Sequence, residues 1–193
     1  MLVVIYFIFG LIIFLAFHSI GMVPRLHGFL VRSLGPNVYK GIYSVFSLIG
    51  LVILFDGFAA YRDTGLIQIW EPPVALKHLN YLFMLISFIS LAAAYAPRGY
   101  LKMRLKHPML VGIKAWALGH FLANGDLGGM ILFGALLAWA VIDRISFKWR
   151  PNAAVDLPAP RILGDIIAVV VGIIAYIGMI HLHPLIVGVS LMG

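Results

Sequence analysis

The chain has 193 residues, of which 63% are hydrophobic and 11% charged, and its mean hydropathy is +1.05. Because ordinary soluble domains are about one quarter charged, this composition excludes a separate soluble domain and predicts a polytopic membrane protein. The net charge of +7 comes mostly from short loops between apolar runs, so we expect contacts with anionic lipid and no nucleic-acid partner. Cysteine is absent, which excludes disulfides, thiolate metal sites and Cys-ligated haem.

Six apolar runs follow one another along the chain, each near the length that crosses a bilayer as a helix. We place the membrane segments at about 2–22, 39–60, 78–96, 108–123, 127–143 and 162–182. The first segment lacks a cleavage signal and is interpreted as a retained helix. The predicted fold is therefore all-α, a bundle of about six transmembrane helices in a single domain over residues 1–193. The alternative is five such helices plus an interfacial helix.

Lysine and arginine residues are distributed unevenly among the five predicted loops. The first, third and fifth loops hold three, four and four of them, whereas the second holds two and the fourth none. By the positive-inside rule, we expect the odd-numbered loops in the cytoplasm and the N terminus outside.

Several ionisable residues fall inside these segments, where insertion costs about 2.5–3.5 kcal/mol per charged residue unless a partner compensates. His120 lies twelve residues beyond Pro108, about 18 Å along the fourth segment and near mid-membrane. His107 lies where the basic loop joins the same helix, and Lys114 shares its face seven residues later. We therefore expect Lys114 to face a carboxylate or a ligand anion.

Two aspartates are the candidate partners of Lys114. Asp56 lies late in the second segment and Asp165 early in the sixth, where solvation or helix capping is the commoner explanation. At the other end of the sixth segment, His183 immediately precedes Pro184, which we expect to break the helix at the outer surface.

Histidines fall in several of the segments: His18 late in the first, His107 and His120 in the fourth, and His181 and His183 at the end of the sixth. A single intramembrane histidine more often hydrogen-bonds a neighbouring helix than ligates a metal. Two neutral imidazoles facing each other from different helices are, however, what six-coordinate haem b requires. The chain has no Cys-x-x-Cys-His, no His-Glu-x-x-His and no glycine-rich nucleotide loop, so any haem would be bound non-covalently.

The block HPMLVG at 107–112, followed by WALGHFLANGD at 116–126, resembles the signature of the NnrU family. HSI at 18–20 with PRL at 24–26, and HPLIVGV at 183–189, resemble the family's other two conserved motifs. The resemblance implies a bacterial inner-membrane protein linked to denitrification and nitric oxide metabolism. The same domain occurs in plastid zeta-carotene isomerase, which uses haem b to interconvert cis and trans forms of a polyene.

The resemblance implies that the haem iron is ligated by His18 and His120. Their predicted depths differ by on the order of 10 Å, and His107 matches His18 better, so His107 is the alternative ligand. The remaining cofactor-binding candidates are His183 and, as partners of the haem propionates, Lys114 and Arg25.

Three functions stay open from the sequence. The first is a haem b-binding membrane protein of nitric oxide or nitrite metabolism, working with other membrane proteins. The second is a haem-dependent isomerase or oxidoreductase of a polyene, isoprenoid or other lipid-soluble substrate, for which no catalytic residue is assigned. The third is a non-catalytic assembly or interaction protein. The His-Pro-x-x-x-Gly piece also resembles phospholipid methyltransferases, but residues 143–150 do not match the segment that completes their cofactor site.

Overall fold

The structure is a computed structural model that describes residues 2–150 and 158–189. Apart from one isolated bridge between Gln68 and Asp126, the regular structure in these ranges is helical. The helices are α1 (Leu2–Ser19, continued by the 3₁₀ turn Ile20–Met22), α2 (Pro24–Leu34), α3 (Pro36–Asp63), α4 (Val74–Tyr95), α5 (Tyr100–Leu105), α6 (Pro108–Ala123), α7 (Leu127–Ser146) and α8 (Ile162–Val187).

Five of the described helices are long and apolar enough to cross a membrane: Leu2–Met22, α3, α4, α7 and α8. The fourth predicted segment, α6, is an apolar helix of 16 residues and is shorter than the others. The predicted all-α, polytopic fold is confirmed.

The loops contain more helix than the sequence analysis predicted. The first loop holds the amphipathic helix α2, which starts at Pro24 and ends before Gly35, a residue with φ of 77°. Proline at the first helical position and glycine after the last are the usual boundary signals of a helix. The break predicted at Pro184 is wrong, because α8 continues through Pro184 and ends at Gly188, which has φ of 73°.

The chain divides into two compact units. Unit 1 comprises the described residues of Met1–Glu71 and Asn124–Ala153, and thus holds α1, α2, α3 and α7. Helices α1 and α3 are antiparallel and in close contact through glycine. A Cβ atom at Gly50 would lie 2.6 Å from the backbone nitrogen of Phe14, and one at Gly57 would lie 2.7 Å from the Cα atom of Phe7. Such close backbone approach is typical of packed membrane helices, where dispersion contacts replace the hydrophobic effect.

At one end of unit 1, the Tyr61 side chain holds the start of α7. Its hydroxyl accepts hydrogen bonds from the backbone N–H groups of Ile67 (3.2 Å) and Gly128 (3.1 Å). The carbonyl of Gly125 accepts from the N–H groups of Ile69 and Trp70, at 2.8 and 3.1 Å. This end of α7 is therefore joined to the segment that follows α3.

Unit 2 comprises the described residues of Pro72–Ala123 and Ala154–Gly193, with α4, α5, α6 and α8. Helix α4 packs antiparallel to α6, where the Ser87 hydroxyl donates to the carbonyl of Gly112 at 2.9 Å. It also packs antiparallel to α8, where a Cβ atom at Gly172 would lie 2.6 Å from the Cα atom of Ile89. Helix α6 thus lies along α4, although it has only 16 residues.

Candidate functional site

His18 lies in the last turn of α1, within unit 1, and is half-buried. Its Nδ1 atom is 2.8 Å from the carbonyl oxygen of Phe14, four residues earlier in the same helix. Three aromatic rings surround the imidazole: Phe14 at 4.1 Å between centroids, Tyr43 of α3 at 5.4 Å and Trp139 of α7 at 6.0 Å. The histidine thus lies in an aromatic environment contributed by three helices.

His120 lies in the last turn of α6, within unit 2, and is half-buried. Its Nδ1 atom is 2.9 Å from the carbonyl oxygen of Trp116, again four residues earlier. The Trp116 ring lies against the imidazole with 5.2 Å between centroids. Both histidines therefore have the same local arrangement, in which an aromatic residue at position i−4 supplies the ring contact and the carbonyl.

The hydrogen bonds of His18 and His120 determine where the proton of each neutral imidazole lies. A backbone carbonyl only accepts, so Nδ1 must be the donor in each bond. In the neutral ring the lone pair is then on Nε2, which is the form of histidine that binds a metal. Metal-binding histidines commonly use the other ring N–H in this way, because the bond fixes the ring and increases its basicity.

The other predicted site residues are distributed over both units. In unit 2, His107 is half-buried, and its carbonyl accepts from the N–H of Val111 at the start of α6. Lys114 is half-buried and has no ion pair among the described residues. His183 places Nδ1 2.8 Å from the carbonyl oxygen of Val189.

In unit 1, Arg25 is exposed near the start of α2. The two predicted axial ligands, His18 and His120, thus lie in different units. Within the described ranges, three or more His, Asp or Glu residues do not come together as a metal-binding group. That absence does not test haem binding, because haem needs two axial ligands at most. Ligation of haem by His18 and His120 therefore stays a prediction.

The NnrU protein family model matches residues 6–191, which is nearly the whole chain. The chain belongs to the NnrU family. Searches of curated proteins and of solved structures find no significant match. The resemblance inferred from the three sequence motifs is therefore confirmed at the level of the family.

Part of the central NnrU block has a structural role. Asp126 caps α7, since its carboxylate accepts from the N–H of Gly129 at 2.8 Å. Gly112 and Gly119 allow α4 to approach α6, because a Cβ atom at Gly112 would lie 2.7 Å from the Leu91 side chain. These residues of the NnrU block hold helices together.

The two aspartates proposed as partners of Lys114 have other surroundings in this NnrU protein. Asp165 accepts from the backbone N–H groups of Tyr100 (3.0 Å) and Leu101 (2.8 Å), and so caps the short helix α5. Capping was the commoner explanation in the sequence analysis, but the capped helix is α5 and not α8. Asp56 is exposed on α3.

One buried ionic cluster was missed by the sequence analysis. Asp143, near the end of α7, forms an ion pair with Nη2 of Arg150. The same nitrogen donates to the hydroxyl of Ser146 at 2.7 Å, and the guanidinium carbon lies 4.1 Å from the centre of the Phe147 ring. Asp143 and Arg150 are seven residues apart, beyond the i, i+4 spacing that signals an ion pair along a helix.

Proposed function

We propose that this NnrU-family protein binds haem b non-covalently, with axial ligation by His18 and His120. The observation that supports the proposal is the shared Nδ1 hydrogen bond to the carbonyl four residues earlier, at 2.8 and 2.9 Å. Both imidazoles thereby offer Nε2 as the ligand atom. The aromatic surroundings of His18 are of the apolar kind in which haem binds.

Two basic residues are proposed as partners of the haem propionates. Lys114 has no ion pair among the described residues, and Arg25 is exposed, so both cations are available to carboxylates. When bound, haem supplies an iron that transfers electrons or binds small ligands such as nitric oxide. The role in nitric oxide or nitrite metabolism in the bacterial inner membrane rests on what is implied by family membership.

The test is the haem absorbance of protein purified in detergent from haem-replete cells. We expect a Soret band of six-coordinate, low-spin haem in the wild type. His18→Gln and His120→Gln should lose that spectrum, because glutamine preserves hydrogen bonding but not imidazole ligation. His78→Gln, an exposed histidine of α4, is the matched control and should retain it.

Two results would overturn the assignment. Protein without haem absorbance from haem-replete cells would exclude the cofactor. A complete six-coordinate spectrum in His120→Gln, together with its loss in His107→Gln, would transfer the second ligand to His107. The predicted topology is tested separately, by labelling single cysteines introduced at Arg32 and Thr64 from either side of the membrane.

The second candidate function is a haem-dependent isomerase or oxidoreductase of a polyene or other lipid-soluble substrate. It is favoured by the aromatic rings of Tyr43 and Trp139 beside His18, since flat apolar substrates pack against such rings. An enzyme of this kind needs an open coordination position. Reduction should then convert the six-coordinate spectrum to a five-coordinate one, and a polyene should be turned over; an unchanged spectrum without turnover would argue for the first function.

The third candidate is an assembly or interaction protein without catalysis. It is favoured by the structural roles of Asp126 and Asp165, which use their carboxylates to cap helices. Under this reading His18→Gln and His120→Gln would leave co-purifying membrane partners unchanged, and no haem would be found. Bound haem in the wild type would exclude it in this simple form.

A further inference from the structure

Unit 1 contains a cavity of about 340 Å³, and the aromatic rings around His18 are not among its described lining residues. It is lined by Gly21, in the middle of the 3₁₀ turn, by Pro24 and His27 of α2, and by Arg150 beyond α7. Gly21 has no side chain and Pro24 an apolar one, so the polar side chains among the described lining residues are those of His27 and Arg150. Neither residue is used by the proposed haem site.

The Arg150 guanidinium is fixed in place but not fully hydrogen-bonded. Nη2 is held by Asp143 and Ser146, and the guanidinium face lies 4.1 Å from the Phe147 ring centre. The Nε atom is buried and has no hydrogen-bond partner among the described residues. A buried donor without an acceptor is unfavourable by about 1–3 kcal/mol, so an acceptor oxygen that reached Nε would stabilise it. The planar guanidinium suits phosphate oxygens well.

Positive charge is concentrated at this end of unit 1, where α1 and α7 finish and α3 begins. The charge of Arg150 is balanced by the carboxylate of Asp143. His27 is exposed, and its ring lies 5.2 Å from the ring of Tyr39 between centroids. Five further basic residues lie on α2, in the first turns of α3, or at and just beyond the end of α7: Arg25, Arg32, Lys40, Arg144 and Lys148. Each basic residue near a membrane surface adds about 1 kcal/mol of attraction to anionic lipid.

Helix α2 presents apolar side chains beside these charges. None of its residues is buried, and Leu26 and Phe29 are 43% and 58% exposed. An amphipathic helix with exposed apolar and arginine side chains is typical of helices that lie in the membrane interface. The cavity therefore adjoins a surface that suits acyl chains as well as phosphate.

We propose that this cavity binds the phosphate of an anionic phospholipid, with hydrogen bonds from Arg150 and His27. The acyl chains lie along Leu26 and Phe29 of α2. The proposal does not depend on haem, since the two residues that bind the phosphate, Arg150 and His27, are not among the proposed haem-binding residues.

The experiment is lipid binding by native mass spectrometry, with thermal unfolding in non-ionic detergent as a second readout. We expect phosphatidylglycerol to remain bound and to raise the unfolding temperature more than phosphatidylcholine does. Arg150→Lys keeps a charge for Asp143 but lacks the Nε donor, and His27→Ala removes the second polar group. Each should weaken phosphatidylglycerol binding by about tenfold, which corresponds to 1.4 kcal/mol. Arg32→Gln, an exposed basic residue of α2 outside the cavity lining, is the control for bulk charge.

Three outcomes would overturn the proposal. Equal binding of phosphatidylglycerol and phosphatidylcholine would exclude recognition of an anionic head group. An equal loss in Arg32→Gln and His27→Ala would show a diffuse surface charge and not a site. Stabilisation by inorganic phosphate alone, as strong as by lipid, would assign the cavity to a soluble phosphate. If Arg150→Lys fails to fold, His27→Ala decides alone, because His27 is exposed.

Discussion

Tyr61→Phe tests the hydrogen bonds that hold the start of α7. The Tyr61 side chain is 1% exposed, and its hydroxyl accepts from the N–H groups of Ile67 and Gly128. Phenylalanine keeps the ring, which packs against Phe7 with 6.5 Å between centroids and against Phe58 with 6.1 Å. The substitution therefore removes one oxygen atom and leaves two backbone donors without their acceptor.

The magnitude follows from the different exposure of the two donors. A buried donor that loses its acceptor costs about 1–3 kcal/mol, whereas one that reaches water costs much less. Ile67 is 49% exposed, so its N–H can bond to water, but Gly128 is buried. The cost therefore falls mainly on Gly128, and we expect the free energy of unfolding to decrease by about 2 kcal/mol.

The assay is equilibrium unfolding of purified protein in mixed detergent micelles, followed by tryptophan fluorescence. Tyr95→Phe is the matched control, because the Tyr95 side chain at the end of α4 is 80% exposed. The control should change the free energy of unfolding by no more than about 0.5 kcal/mol. If Tyr61→Phe gave an equally small change, the Tyr61 hydroxyl would not hold the start of α7 and the reasoning would be refuted.

Two further substitutions test the packing of each unit by thermal unfolding in detergent. Gly50→Ala should destabilise unit 1 by about 1–3 kcal/mol, because the new Cβ would lie 2.6 Å from the Phe14 nitrogen. Gly41→Ala is the control, because a Cβ atom at Gly41 would meet no neighbouring atom within 4 Å, and it should be neutral or slightly stabilising. Equal effects of the two substitutions would contradict the close packing at Gly50. Asp165→Ala should destabilise unit 2 by about 1–3 kcal/mol, because two N–H groups at the start of α5 lose their acceptor. An exposed carboxylate, Asp63→Ala, is its control, and a loss no larger than in that control would disprove the cap.

Hydropathy predicted where helices cross the membrane, but it did not predict their ends. The second segment was predicted from residue 39, whereas α3 begins at Pro36 and extends to Asp63. The six additional residues include Asn37, Arg62 and Asp63, which interrupt an apolar run, yet their backbone hydrogen bonds continue the helix. The signals for α2 were present in the sequence as Pro24 and Gly35, but the loop was interpreted only through its basic residues.

The wrong prediction at Pro184 has a clear physical reason. Proline is tolerated inside membrane helices, because the backbone carbonyl that loses its N–H partner finds another hydrogen-bond donor. Here α8 continues for three residues after Pro184, and the left-handed Gly188 ends it with its N–H bonded to the Pro184 carbonyl. Glycine was the better indicator of this helix end.

The partners of the carboxylates could not be predicted from the sequence because they depend on tertiary packing. Asp165 bonds to Leu101, 64 residues away, and the contact depends on how α8 packs beside the start of α5. Arg150 reaches Asp143 only because the chain leaves helical geometry after Ser146. In both cases the sequence shows a charge in an apolar context, whereas the identity of its partner is determined by the fold.

The histidines differ from these carboxylates, because the structural feature that matters at each is local. A histidine that only ties helices together is expected to donate its N–H to a neighbouring helix. His18 and His120 both donate Nδ1–H to their own helix, so Nε2 is the ring nitrogen that each directs away from it. Nε2 without a proton accepts but cannot donate, so it suits a metal or a donor group and cannot bond to another backbone carbonyl. Glutamine can serve such a donor but cannot ligate haem iron, so the glutamine variants separate the two roles of these residues.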